Sequence, residues 1–157
     1  MKLKNETLSK NFLIYGFGKS GTSSLKFLKQ KNKCFIFDDD KKKINSKFKR
    51  FFISKSKLLN NNFDYIVISP GININRCQLS NYLKKNQKKV ITDFDIFYKF
   101  NPEVLTITIT GTNGKSTTSK LLYDILKKHH YDTRLTGNIG NPILEEKRVT
   151  KNTIFVI

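Results

Sequence analysis

Between an apolar run and an amphipathic stretch, the chain carries Thr110, Gly111, Thr112, Asn113, Gly114, Lys115, Ser116 and Thr117. Glycines at this density let backbone amides turn towards an anion, and a helix that follows adds the positive end of its dipole. Lys115 then serves as a point charge for terminal phosphates, and the Ser116 hydroxyl as a hard oxygen for Mg2+. The strict G-x-x-x-x-G-K-S spacing would need glycine where the chain has Ile109, so this loop is a variant of that pattern. The expected chemistry is binding of a nucleoside triphosphate with magnesium by Gly111, Thr112, Asn113, Gly114, Lys115, Ser116 and Thr117. Lys115 is the candidate catalytic residue and Ser116 the candidate metal ligand.

A second turn of the same physical kind lies near the start: Gly16, Phe17, Gly18, Lys19, Ser20 and Gly21, with Asp38 at the end of the next apolar run. This G-x-G-x-x-G followed by an acid is the dinucleotide fingerprint. Alone it suits any nucleotide diphosphate, NAD being the commonest, and a plain glycine-rich turn stays open as well. Ser69, Pro70 and Gly71 follow a further apolar run, where the loops of an open parallel sheet form a crevice, although a simple turn explains them equally. His129 and His130 read as the end of a helix, whose negative C-terminus favours a partly charged imidazole.

The elements that must hold these turns are short apolar runs alternating with amphipathic stretches, the pattern of βα units around a parallel sheet. Strands are expected at Phe12 to Tyr15, Cys34 to Phe37, Arg50 to Ile53, Tyr65 to Ile68, Lys89 to Ile91, Val104 to Ile109, Asp132 to Leu135 and Thr153 to Ile157. The clearest helices are Ser20 to Lys31, with Leu25 and Leu28 on one face, and Ser116 to His130, with Leu121, Leu122, Ile125 and Leu126 at helical spacing. Pro102 breaks an amphipathic stretch just before a new strand, so the boundary is expected there. The fold class is α/β, with a Rossmann-like parallel-sheet domain over residues 1–102 and the start of a phosphate-loop α/β domain over 103–157. The apolar ending at Ile154 to Ile157 and a half-built second domain lead to the expectation of a truncated chain.

Composition narrows the classes further. With 157 residues, 38% hydrophobic and 27% charged, the chain can bury a core and is unlike a disordered one. The formal charge of +18 would ordinarily raise nucleic acid as a partner. It rests on 26 Lys against 4 Arg, alongside 16 Asn, 13 Phe and no Ala, which is the mark of A- and T-rich codons. The lysines are scattered rather than drawn into one stripe, so no specific nucleic-acid partner is expected. No apolar run reaches membrane length and no signal peptide opens the chain, so the default location is the cytoplasm. Cys34 and Cys77 are too few for a disulfide framework or a zinc site and read as free thiols.

GTNGKST at Gly111 to Thr117, the earlier glycine turn, Ser69 to Gly71, and Gly137, Asn138, Ile139 and Gly140 occur in an order that resembles the Mur ligases of peptidoglycan synthesis. The resemblance is to their D-glutamate-adding branch. Folylpolyglutamate synthases share the phosphate loop but lack the first domain, and the alanine-adding branch carries different glycine and histidine variants. The resemblance implies that Gly18, Lys19 and Ser20 meet the pyrophosphate of a UDP-sugar, that Asp38 and Asp39 lie near the uridine, that Gly71 lines the cleft and that Asn138 touches substrate across the domains. It implies that Lys115 and Ser116 hold ATP and Mg2+, with Gly114 and Thr117 completing the cradle. The implied reaction is attack of the carboxylate of UDP-N-acetylmuramoyl-L-alanine on the γ-phosphate of ATP, followed by displacement of phosphate by D-glutamate. Asp40 stands where such ligases often carry a basic residue that helps to hold uracil.

The same resemblance places a further magnesium ligand just beyond Ile157, with a histidine loop, a modified lysine and the amine site further on. Little activity is therefore expected of this chain alone, and a separate chain supplying those segments is an expected partner. An NAD-dependent oxidoreductase and a non-catalytic nucleotide-binding module are the alternative readings.

Overall fold

Alternation of short apolar runs and amphipathic stretches builds two parallel sheets in the computed structural model, which describes residues 9–40, 42, 46–137 and 139–157. The first sheet contains β1 (Asn11–Tyr15), β2 (Lys33–Phe37), β3 (Tyr65–Ile68) and β4 (Val90–Ile91) in the order β2-β1-β3-β4. Phe12, Leu13, Ile14 and Tyr15 are all 0% exposed, because a central parallel strand is covered on both faces. Helix α1 (Lys19–Leu28) packs against β1, β2 and β3 and buries Leu25 and Leu28. Leu58 of α2 (Lys55–Leu59) and Leu83 of α3 (Ser80–Lys85), with Leu79, join Leu13, Tyr15, Phe37 and Ile66 in one cluster. Tyr15 is level with Phe37 and Ile68, so the turns after three strands begin side by side.

The strand expected at Arg50 to Ile53 is a correction. Ser46–Phe51 is a 3-10 helix, and only Phe52 bridges to Ile36 of β2. The reason lies in Phe17, whose ring meets Phe48 at 5.3 Å and Phe52 at 5.4 Å, both edge-on. Two aromatics four positions apart reach one ring from a helical turn, whereas a strand would carry them along its length.

The second unit holds β5 (Leu105–Ile107), α5 (Lys115–Lys128), β6 (Thr133–Leu135) and β7 (Ile154–Val156), with the strands parallel in the order β5-β7-β6. Phe155 and Val156 at its centre are 0% exposed. The chain divides at Ile96 and Phe97, inside α4 (Asp93–Phe100). That helix opens with a capping pair in which Thr92 N donates to Asp95 Oδ2 at 2.7 Å. Its later residues belong to the second unit: the Phe97 ring lies 4.8 Å from Phe155, and the Tyr98 and Thr106 hydroxyls are 2.8 Å apart. On α5 the expected apolar face is only partly used. Leu121 is 59% and Ile125 47% exposed, while Leu122 and Leu126 are half-buried, since β6 and β7 pack against one narrow side of the helix.

Candidate nucleotide-binding sites

In the second unit, Ile109 N donates to Ile157 O at 2.8 Å and Ile157 N to Ile107 O at 3.0 Å, which carries sheet pairing to the base of the 110–114 loop. Gly114 caps α5 at φ +74°, in the left-handed region that glycine enters without strain. No side chain caps this helix, so its first amides are left for an external acceptor. Lys115 Nζ donates to the carbonyl oxygens of Gly111 and of Thr112, the latter at 3.1 Å, and is thereby drawn into the loop. Ser116 and Thr117 are exposed on the first turn. A cation, unpaired helix amides and two hydroxyls converge where a polyphosphate would rest.

In the same unit, the turn after β6 is closed by Asn141 N donating to Leu135 O at 3.2 Å. Four side-chain contacts tie this turn down. Asn141 Nδ2 donates to Glu146 Oε1 at 3.2 Å, and Arg134 Nε meets Glu146 Oε2 at 3.2 Å. Arg134 Nη1 reaches Asp132 Oδ1 at 2.5 Å, and Thr153 Oγ1 donates to Asp132 Oδ2 at 2.7 Å.

In the first unit the glycine turn is set by close approach. A Cβ on Gly21 would stand 2.0 Å from Gly16 O, so helix and turn can touch only if position 21 has no side chain. Ser69 Oγ donates to the same Gly16 O at 2.8 Å, which ties the Ser69 to Gly71 turn to the first glycine. Gly18 is the N-cap of α1, again without a side-chain cap, and the space beside Gly18 and Gly71 is open. Lys19 and Ser20 begin the helix at this opening. Asp38 takes up backbone amides: Phe17 N donates to Oδ2 at 2.6 Å and Asp40 N to Oδ1 at 2.8 Å. Asp39 accepts the Tyr15 hydroxyl, at 2.8 Å to Oδ1 and 2.9 Å to Oδ2.

Comparison with known proteins bears on both turns. The Mur ligase middle domain profile matches residues 109–156. The UDP-N-acetylmuramoylalanine–D-glutamate ligase of Rickettsia bellii is 34% identical over 141 residues, covering 87% of this chain and 31% of the relative. Ligases of the same name from Caldicellulosiruptor bescii and Aquifex aeolicus are 34% and 37% identical, covering 94% and 85% of this chain and 35% and 30% of their own lengths. The chain belongs to the Mur ligase family. This Mur ligase sequence spans about a third of the length of the curated relatives it matches. Its fold is also that of a solved Mur ligase, the UDP-N-acetylmuramate:L-alanyl-gamma-D-glutamyl-meso-diaminopimelate ligase of Neisseria meningitides. The TM-score is 0.51 at 13% identity, over 94% of this chain and 52% of that one.

Within this Mur ligase chain, Gly111 to Thr117 lie together on one loop and helix start, and Gly18, Lys19, Ser20 and Gly71 gather around the first glycine turn. Asp38 and Asp39 are at the adjoining end of β2, each already bonded within the protein. Asn138 lies outside the described residues. His130 occupies a left-handed position at φ +63°, where its amide donates to Lys127 O and that of Tyr131 to Leu126 O; the pair closes α5 as a Schellman cap. Among the described residues no group of three or more His, Cys, Asp or Glu side chains could hold a metal. The donor set of the loop nevertheless fits Mg2+ brought by a nucleotide, since that ion takes one or two protein oxygens and completes its shell with phosphates and water. Ser116 would supply one such oxygen. No described helix is long and apolar enough to cross a membrane.

The sequence reading missed the Tyr15 to Asp39 bond and the Arg134 to Glu146 network. A usable signal existed for the first: a hydroxyl at the end of an otherwise apolar run requires a partner once buried.

Proposed function

We propose that this chain is the UDP-sugar- and ATP-binding part of an ATP-dependent ligase that adds D-glutamate to UDP-N-acetylmuramoyl-L-alanine in peptidoglycan synthesis. The first unit, expected over residues 1–102 and ending in the structure at Ile96, holds the UDP-sugar, and the second begins the ATP unit. The observation that carries this reading is the pair of anion-ready turns, one in each unit, each leading from a strand into a helix with no side-chain cap.

In the second unit, Gly114 and the amides behind it receive the phosphates, while Lys115 exchanges its loop carbonyls for phosphate oxygens and offsets their charge. Ser116 holds the Mg2+, which supplies further neutralisation of the transferring phosphoryl group. Lys19 and Ser20, at the opening of α1, orient the UDP diphosphate, and Asn138 contacts the substrate. The commitment of Asp38 to Phe17 N and Asp40 N argues against NAD, whose ribose an acid at this place would ordinarily bind. D-glutamate binding and the remaining catalytic groups come from a further segment, in the same polypeptide or in a separate chain. A cytoplasmic location goes with this reading.

The test is calorimetric titration with UDP-N-acetylmuramoyl-L-alanine, with NADH as the contrasting titrant, and with Mg-ATP on the wild type and Lys115→Ala. Binding of the UDP-sugar but not NADH, together with ATP binding weakened at least about tenfold by Lys115→Ala, is expected. Binding of NADH alone, or ATP affinity indifferent to Lys115, overturns the reading.

A further inference from the structure

Scattered along the sequence, the lysines of the first unit gather in space at the amino-terminal ends of its strands. Lys10 leads into β1 and Lys33 opens β2, and the two are joined by Lys33 N donating to Lys10 O at 3.0 Å. Lys29 and Lys31 lie in the turn that connects α1 to β2, and Lys84 and Lys85 end α3. Lys88 and Lys89 lead into β4, and Lys89 Nζ donates at 2.8 Å to Asn62 Oδ1, on the stretch that enters β3. Apart from Lys10 and Lys89, which are half-buried, all of these lysines are exposed. Asp64, 3.9 Å from Lys10 Nζ, is the one acid at this pole among the described residues.

The other acids of the unit lie at the opposite end. Asp38, Asp39 and Asp40 follow β2, and Asp93 and Asp95 follow β4, all at the carboxyl ends of the strands, where the glycine turn sits. Codon composition sets how many lysines a chain has, not where its acids fall. Lys84 and Lys85 answer the negative end of the α3 dipole, but Lys10, Lys31 and Lys33 stand on a turn and at strand starts, where no such dipole calls for them. A face with this excess of one sign attracts a surface of the other.

The kind of charge selects the partner. Discrete phosphates of a folded nucleic acid are held by arginine forks and helix N-termini. This pole offers neither, since its cations are all lysine and α1 and α3 reach it with their carbonyl ends. Point charges on flexible stems suit a diffuse layer of anionic headgroups, to which clusters of about four to eight are drawn. We propose that the amino-terminal pole of the first sheet is a docking surface for an anionic lipid bilayer, holding the first unit with its glycine turn directed away from the membrane. The five residues of β1 set the pole roughly 15 Å from that turn, about two Debye lengths in physiological salt, so a bilayer held here leaves the turn free for its own anion. The inference does not depend on which nucleotide the turn takes.

The experiment sediments the chain with vesicles of phosphatidylcholine, with and without phosphatidylglycerol, in low salt and again in about 0.5 M salt. A pole variant carries Lys29→Gln, Lys31→Gln, Lys85→Gln and Lys88→Gln. The control carries Lys127→Gln, Lys128→Gln, Lys147→Gln and Lys151→Gln, which removes the same charge from exposed positions of the second unit. Expected is binding to the phosphatidylglycerol vesicles only, reversed by salt, weakened at least about tenfold in the pole variant and no more than about twofold in the control. A thermal melt accompanies each protein, and a pole variant that melts below the wild type is replaced by Lys31→Glu and Lys88→Glu, each of which should weaken binding alone. Absence of binding to phosphatidylglycerol vesicles overturns the inference. So does equal weakening in the two variants, since net charge rather than its placement would then govern. Polyuridylate is the contrasting probe: a chain that binds it but ignores the vesicles gives the pole to nucleic acid and overturns the inference as well.

Discussion

Gly21→Ala is the sharpest probe of how the first glycine turn is built. The new Cβ would lie 2.0 Å from Gly16 O and 3.0 Å from its carbonyl carbon, both backbone atoms that no rotamer change can remove. Helix α1 must therefore withdraw from the turn by at least about 1 Å, and forced overpacking of this kind costs about 1–3 kcal/mol. The retreat also disturbs Gly16 O as acceptor of the Ser69 hydroxyl, a bond worth about 1 kcal/mol. Alanine returns about 1 kcal/mol through its helix propensity. The expected net loss is about 2 kcal/mol, or roughly 30-fold in the opening equilibrium. Hydrogen exchange followed by mass spectrometry reads this locally, as faster exchange in peptides covering β1 and α1 with little change in the second unit. Gly18→Ala is the matched comparison: nothing lies within 4 Å of its Cβ position, and the expected cost is no more than about 1 kcal/mol. If Gly21→Ala exchanges within twofold of the wild type, the close-approach reasoning is wrong.

Other expectations follow from the second unit and from the thiols. His130→Gly should stabilise by about 1 kcal/mol, because glycine holds the left-handed position without strain; a melting temperature that does not rise would contradict this. Glu146→Ala removes the shared partner of Asn141 and Arg134 and should cost about 1–3 kcal/mol in urea unfolding, with Glu146→Gln milder because it can keep the Asn141 bond. Burial pushes the Cys34 thiol up to about 12, so a disulfide reagent at pH 8 should label Cys77 in the folded chain and Cys34 only after unfolding. The same shift has a sign in stability. Between the ordinary thiol value of 9.0 and about 12, the unfolded chain has lost this proton and the folded chain keeps it. Stability due to Cys34 is therefore fully present below pH 9.0 and falls as pH rises through that window, an alkaline loss that Cys34→Val should reduce.

What could be read directly from the sequence was what is encoded locally. Strand β3 coincides with the expected Tyr65 to Ile68, and β1 and β2 each begin one residue early, because apolar runs bounded by polar or glycine residues leave little choice of position. The placement of both glycine turns between a strand and a helix was legible for the same reason: their glycines, lysine and hydroxyls are consecutive. Contacts made at a distance were hidden. Ser46–Phe51 turned helical because Phe48 and Phe52 share Phe17, a partner far back along the chain. The exposure of Leu121 and Ile125 depends on how much sheet lies under α5, which helical periodicity does not report. Nor could the acid of the fingerprint be seen to spend itself on Phe17 N, since composition alone does not reveal which lone pair points where.

The position of β7 has a consequence for the making of the protein. Strand β7 follows β5 and β6 in sequence but lies between them in space, and among the described residues β5 and β6 each pair with β7, not with one another. The first sheet can be assembled outward from β1 as later strands emerge, but in the second nothing can zip until Ile154–Val156 has been synthesised. At about 5–20 residues per second, the stretch after Leu135 leaves β5 and β6 without a neighbour for about 1–4 seconds on the ribosome. Through that interval Ile107 and Leu135, half-buried in the folded unit, lack the strand beside them, and the two unpaired edges are open to a chaperone.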